Sequence, residues 1–262
     1  MVLVRFDGLK GRIVIPAYKG VTTSGVPRPH DDARSISFWM QSTQSGTVGT
    51  LCYWGSNFIG DIADGSQNRI RLVKGKLQLF GKGSFVESAS VVADGNLHHI
   101  LCTYTTTGTA LGHEDFGSGK IYVDGVIDNG RVRGGAKLEI QADGTERTNI
   151  AVVTSGEHVV CLGARPVGAG NITSSGSFTD YYDGDIDEFA IYNDVLATGT
   201  FSGIYNSGTP GADLLTLGQL PNLQVWYRMG DDGGDSAPGT MVDQRLLTLD
   251  RDGLASSGTL LI

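Results

Sequence analysis

An all-β fold is what this 262-residue chain predicts, on three observations. Apolar and polar side chains alternate with a period of two through much of its length, the pattern of half-buried strands. Turn dipeptides punctuate these runs, at Asp94-Gly95, Asp124-Gly125, Asp143-Gly144 and Asp183-Gly184. Helical spacing is confined to about residues 197–206. The 39 glycines, about twice the average share, fall between the apolar runs, as turns require, and show no collagen-like period.

Taken in order, Ile70 and Leu72 alternate with Arg69 and Arg71, and Leu77 and Leu79 with Lys76 and Gln78. Lys74-Gly75-Lys76 between them reads as a tight hairpin. His99-Ile100-Leu101-Cys102 and Val159-Val160-Cys161-Leu162 are further apolar strand-like runs. Tyr181 to Asn193 reads as a strand anchored by Ile186, Phe189 and Ile191, closed by a polar turn at Asn193-Asp194. Thr198, Phe201, Ile204 and Tyr205 then form a helical stripe. Gly208, Pro210, Gly211, Gly218 and Pro221 mark a connection, and Leu223 to Met229 is one more strand.

Four segments in order resemble the concanavalin A-like, laminin G-like family. They are Val4-Arg5-Phe6-Asp7-Gly8 with Arg12-Ile13-Val14-Ile15-Pro16; Ser35-Ile36-Ser37-Phe38-Trp39-Met40; Asp94-Gly95-Asn96-Leu97-His98-His99-Ile100 with Lys120-Ile121-Tyr122-Val123-Asp124-Gly125; and Asp183-Gly184-Asp185-Ile186-Asp187-Glu188-Phe189-Ala190-Ile191-Tyr192-Asn193. Leu97 stands where the family has tryptophan. The resemblance spans residues 4–206 and implies a jelly-roll β-sandwich of two antiparallel sheets, sealed at one end by a short helix. The expected organisation is a sandwich over 1–206 and a C-terminal extension over 207–262. The extension, too short to bury its own core, packs on the sandwich or on a neighbouring subunit. Leu260, Leu261 and Ile262 at its end are candidate assembly contacts.

A net charge of −8 argues against a nucleic-acid partner. Arg131-Val132-Arg133 with Lys137 is read as a solvated loop. Cys52, Cys102 and Cys161 lie in apolar runs without zinc-ligand spacing, so buried free thiols are expected. No run reaches the ~18 apolar residues of a membrane span. Met1 to Asp7 has no basic segment with a long apolar stretch behind it, which suggests synthesis in the cytoplasm without a secretion signal.

Related sandwiches include glucan hydrolases with a Glu-x-Asp-x-x-Glu strand. Here the corresponding string is Asp185-Ile186-Asp187-Glu188-Phe189-Ala190, with Ala190 where the acid should stand, so no catalytic residues are assigned. The acidic stripe reads either as ligands for a hard cation or as solvated turn residues, where Asp is favoured for its backbone hydrogen bonding. The resemblance makes Asp7 and Asp187 candidate ligands of one structural calcium; no cofactor is required. Asp61 with Asp64, and Asp231 with Asp232 and Asp235, are rival clusters. His98 and His99 face opposite ways on a strand and cannot share a metal; one is expected in the core and the other on the concave surface. Gly117-Ser118-Gly119-Lys120 lacks the P-loop spacing. For glycans, Trp54, Phe58, Tyr181 and Tyr182 are the candidate exposed rings, while Trp39 is expected in the core.

The expected function is a non-enzymatic virion component, of the kind the family supplies to bacteriophages. It would serve in capsid decoration or in association with tail or fibre, on the particle exterior. Its partners would be other virion proteins, copies of itself and surface glycans, with no membrane. A soluble carbohydrate-binding module is the alternative, and a glycan hydrolase a third reading.

Overall fold

The computed structural model describes residues 3–15, 34–56, 67–81, 84–104, 119–133, 158–167, 176–217, 222–229, 240–242 and 259–261. The first half runs through β1 (Val4–Asp7), β2 (Ile13–Ile15), β3 (Arg34–Gln41), β4 (Gly49–Ser56), β5 (Gln67–Val73), β6 (Lys76–Gly81), β7 (Ser84–Ser88) and β8 (Leu97–Tyr104). Then come β9 (Lys120–Val123), β10 (Val126–Ile127), β11 (Asn129–Arg133), β12 (His158–Leu162), β13 (Arg165–Val167), β14 (Ser177–Thr179) and β15 (Asp183–Tyr192). Helix α1 (Thr198–Tyr205) precedes β16 (Leu223–Tyr227), β17 (Thr240–Val242) and β18 (Thr259–Leu261).

Two seven-stranded antiparallel sheets result. The first has the order β1-β15-β3-β8-β9-β10, with β16 also on β15; the second is β11-β7-β6-β5-β4-β12-β2. β1 pairs with the first half of β15 and β16 with the second half. Beyond residue 206 the chain therefore returns to the first sheet. β17 and β18 form a two-stranded ladder in which Leu260 opposes Met241 and Leu261 opposes Thr240. Ile262 lies outside the described residues.

Period-two alternation fills the space between the sheets. Ile36, Phe38 and Met40 of β3 join Ile100 and Cys102 of β8, facing Ile70 and Leu72 of β5 and Leu77 and Leu79 of β6. The outer face of the first sheet is also covered: Leu101, Ala190, Tyr192, Leu223 and Trp226 pack against Phe201 and Ile204 of α1 and against Leu214. Trp39 belongs to this outer layer. It is buried, but its indole stacks on Tyr205 of α1 with ring centres 6.0 Å apart.

Two local devices shape the site-bearing strands. The Lys74-Gly75 and Asp124-Gly125 turns have positive φ at both positions, which gives two-residue hairpins of the right twist. Asp183-Gly184, expected as a turn, instead opens β15 opposite Asp7 and Phe6. Its glycine serves close packing, since a Cβ there would lie 2.5 Å from the carbonyl oxygen of Gln41. The second device is a bulge between Asp187 and Ala190, with Glu188 at φ 49°. It resets the alternation, so that Ile186 and Phe189 both face the core although three positions apart. The indole N–H of Trp226 donates to Glu188 Oε2 (2.6 Å) and Nε of Arg228 donates to Oε1 (3.3 Å), which ties β16 to the bulge.

Candidate functional site

Two of the four rings expected to form a glycan platform are buried. Trp54 is 4% exposed and sits in the inter-sheet core, with the Arg34 guanidinium 5.5 Å from its ring. Tyr182 is wholly buried, its hydroxyl donating toward the carbonyls of Gln41 (3.1 Å) and Asp185 (3.2 Å). Both expectations of exposure are therefore corrected: Trp54 has the inward parity of β4, and Tyr182 plugs the joint beside Phe6. Tyr181 is half-buried, and Phe58 lies outside the described residues.

The calcium candidates also stand apart. Asp7 Oδ1 accepts the backbone N–H groups of Leu9, Lys10 and Gly11 at 2.8–2.9 Å, and these bonds lower its pKa to about 2. This is an aspartate closing a turn. Asp187 is fully buried at the bulge, where Oδ1 accepts the N–H of Glu188. Asp7 opposes Asp183, four residues from Asp187, a separation of about 13 Å along a strand. One ion does not reach both. Asp183 and Asp185 are engaged by Arg5 at 2.6 and 3.3 Å. Among the described residues no group of three or more His, Cys, Asp or Glu side chains is placed to hold a metal. Asp61, Asp64, Asp231, Asp232 and Asp235 lie outside those residues.

The paired histidines do face opposite ways. His98 bridges Asp124 (2.7 Å) and Asp94 (3.1 Å). Partial burial opposes its charge, but the hydrogen bonds to Asp124 and Asp94 prevail and raise its pKa. His99 is buried against Trp39 and Tyr205, with ring centres 5.1 and 5.9 Å away. Burial lowers its pKa to about 4, against a weaker opposing effect of Asp124. His99 thus packs under α1 and not between the sheets. The three cysteines are free and buried.

A different constellation occupies the outer face of the second sheet. Outward-pointing residues of β5, β6, β7 and β11 place Arg69, Arg71, Gln78, Phe80, Phe85, Glu87 and Arg131 side by side. The Arg71 guanidinium lies 3.8 Å from the centre of the half-buried Phe80 ring, and that of Arg69 lies 4.6 Å from it. Arg71 donates through Nε (3.0 Å) and Nη2 (2.8 Å) to Gln78 Oε1. Gln78 Nε2 donates to Glu87 Oε2 (2.7 Å), which also accepts from Arg131 Nη2 (3.1 Å). Arg69 and Arg165 both donate to Asp180 Oδ2. The other end of this face is covered, with Tyr53 and Cys161 packed under Val14 and Phe178. Sequence reasoning missed the set because it looked for aromatics near loops. The signal was the alternation Arg69-x-Arg71 facing Gln78-x-Phe80 across a hairpin.

Comparison with known proteins places the architecture. A protein-family model, Laminin_G_3 of the concanavalin A-like lectin/glucanases superfamily, matches residues 16–199. A search of curated proteins finds no match. Among solved structures, a candidate carbohydrate binding protein from Bacteroides ovatus ATCC 8483 is similar at 13% identity and TM-score 0.50, over 92% of this chain and 55% of that one. Domains LG4-5 of the mouse laminin alpha1 chain are similar at 15% identity and TM-score 0.44, over 74% and 43%. The CBM40 of Ruminococcus gnavus IT-sialidase, bound to alpha2,3 sialyllactose, is similar at 11% identity and TM-score 0.45, over 78% and 97%. This chain spans about half the length of the first two. With two large antiparallel sheets and one short helix among the described residues, and a family match over well above half its length, the chain belongs to the Laminin_G_3 family, and its fold is the lectin-like one of the concanavalin A-like lectin/glucanases superfamily.

Proposed function

We propose that the chain is a non-catalytic carbohydrate-binding module that offers the outer face of its second sheet to glycans. The observation that carries this reading is the surround of Phe80. A half-buried ring is flanked by Arg71, Gln78 and Glu87, planar groups fixed by mutual hydrogen bonds. Glycan hydroxyls are oriented by a few convergent, fixed polar groups, and here Phe80 supports them from beneath, with the Arg71 and Arg69 guanidiniums 3.8 and 4.6 Å from the ring centre. The face is rigid, being built on strands, so little ordering entropy opposes binding. Hydrolysis would need two accessible carboxylates flanking the bond; Asp187 is fully buried, and Asp183 and Asp185 are held by Arg5. Phe80→Ala is expected to weaken binding to a glycan selected on an array about tenfold, by releasing the guanidinium groups stacked on the ring, with an unchanged circular dichroism spectrum. Undiminished binding would reject this face.

A second reading, a structural component on the exterior of a virus particle, is favoured by one edge. Among the described residues β10 ends the first sheet, and its Val126 and Ile127 are 66% and 53% exposed. β10 is too short to template a ladder, so the support lies in the exposed apolar side chains, a candidate contact for another chain. Native mass spectrometry is expected to give a closed oligomer that Val126→Lys returns to monomer; a wild-type monomer would remove the support. The same spectra with a chelator test for a structural calcium. Among the described residues no helix is long and apolar enough to cross a membrane.

A further inference from the structure

We infer that the glycan taken by this face is acidic, and that its carboxylate or sulfate groups are received by the guanidinium groups of Arg71 and Arg131, each binding an oxyanion of its own. The inference rests on the glycan-binding reading and names the ligand class. Gln78 and Glu87 lie between the two arginines and hold each by hydrogen bonds, while Phe80 and Phe85 support the guanidinium planes from below, 3.8 and 5.0 Å away. Arg71 gives two N–H groups to Gln78 and Arg131 gives one to Glu87. A guanidinium has five such donors, so each retains donors for an oxyanion. Fixed, planar and stacked, these groups suit bidentate recognition of a carboxylate or sulfate.

Charge complementarity points the same way. Arg69, Arg71, Arg131 and Arg165 gather here against the carboxylates of Asp180 and Glu87, in a chain whose net charge is −8. The arginines crowd one another: burial first, then the charges of Arg71 and Arg165, lower the pKa of Arg69 to about 10. An incoming anion relieves that repulsion. A neutral sugar does not.

The test is a glycan array carrying neutral, uronic-acid, sialic-acid and sulfated glycans, with inorganic polyphosphate as a competitor. Wild-type protein is expected to bind acidic glycans only; the carboxylated and sulfated spots tell which oxyanion is preferred. Arg131→Gln is expected to keep the fold, because this side chain is 66% exposed. It should weaken the acidic hit about tenfold, as loss of a charge-assisted contact does. Arg5→Gln, on the first sheet and 61% exposed, should change nothing. Binding of neutral glycans alone would overturn this inference and leave the glycan-binding reading standing. Binding of no glycan would overturn both. Polyphosphate competing as well as the best glycan would reduce the face to an anion exchanger and overturn the inference, as would Arg131→Gln binding like wild type.

Discussion

Gly163→Ala is expected to destabilise the protein by about 4 kcal/mol, combining left-handed backbone strain with overpacking, and to lower Tm by about 10 °C for a chain of this size. Gly163 has φ 81°, where an L side chain is strained. A Cβ there would collide with Cδ1 of Phe6 and fall 2.9 Å from the carbonyl oxygen of Gly11. Phe6 is 1% exposed and packs on Tyr182, so it has no free volume to retreat into. The backbone is committed as well: the Gly163 N–H donates to the Leu51 carbonyl, and its own carbonyl accepts from Tyr182. One residue thereby joins the end of β12, the strand β4 and the start of β15. Gly199→Ala is the control. It lies in α1, where an added Cβ would meet nothing within 4 Å, and there alanine should stabilise by about 0.5–1 kcal/mol. Thermal melts of the two variants check both. A Gly163→Ala melt within about 2 °C of wild type would contradict the packing at this joint.

The second large effect is a stability maximum near pH 6.5, set by adjacent histidines of opposite sign. His99 is buried with its pKa lowered to about 4 from 6.5. Between those values the unfolded chain binds a proton that the folded chain refuses, so stability falls as the pH drops from 6.5 toward 4. The loss is on the order of 3 kcal/mol. His98 works above that window. Its folded pKa is raised, so its stabilising bridge to Asp124 and Asp94 is complete below 6.5 and is lost as the pH rises through the folded value. Asp7, whose pKa is lowered to about 2, acts only below the window of His99. Urea midpoints at pH 4.5, 5.5, 6.5 and 7.5 measure the profile. His99→Gln should flatten its acid limb and leave the alkaline limb in place; an unaltered acid limb would show that another group carries it.

The fold was legible because strands announce themselves by period, and here the period is kept on both faces of the first sheet. Ile36, Phe38 and Met40 read as one face, and Phe201 with Ile204 read as the helix that covers the other. Where alternation breaks, the reading failed for local reasons. Asp183-Gly184 has turn chemistry, but the glycine is needed where the chain passes the carbonyl of Gln41. Trp54 and Tyr182 were read as exposed because they stand near loops; which face a ring takes depends on strand parity and on the residue that plugs the joint, neither of which composition carries. The arginine-phenylalanine face was hidden for the converse reason. Arg69 and Arg71, Gln78 and Phe80, Glu87 and Arg131 come from four strands, and only the register brings them together.

The central claim, that the outer face of the second sheet takes a glycan, is tested most directly by NMR of the arginine Nε–H signals. The titrant is the glycan that binds best on the array. Shifts are expected for Arg69, Arg71 and Arg131 that saturate together, with Arg5 and Arg228 unmoved. Saturable shifts at Arg5 or Arg228 with those of Arg71 and Arg131 unchanged would contradict the claim, and would move the site to the first sheet.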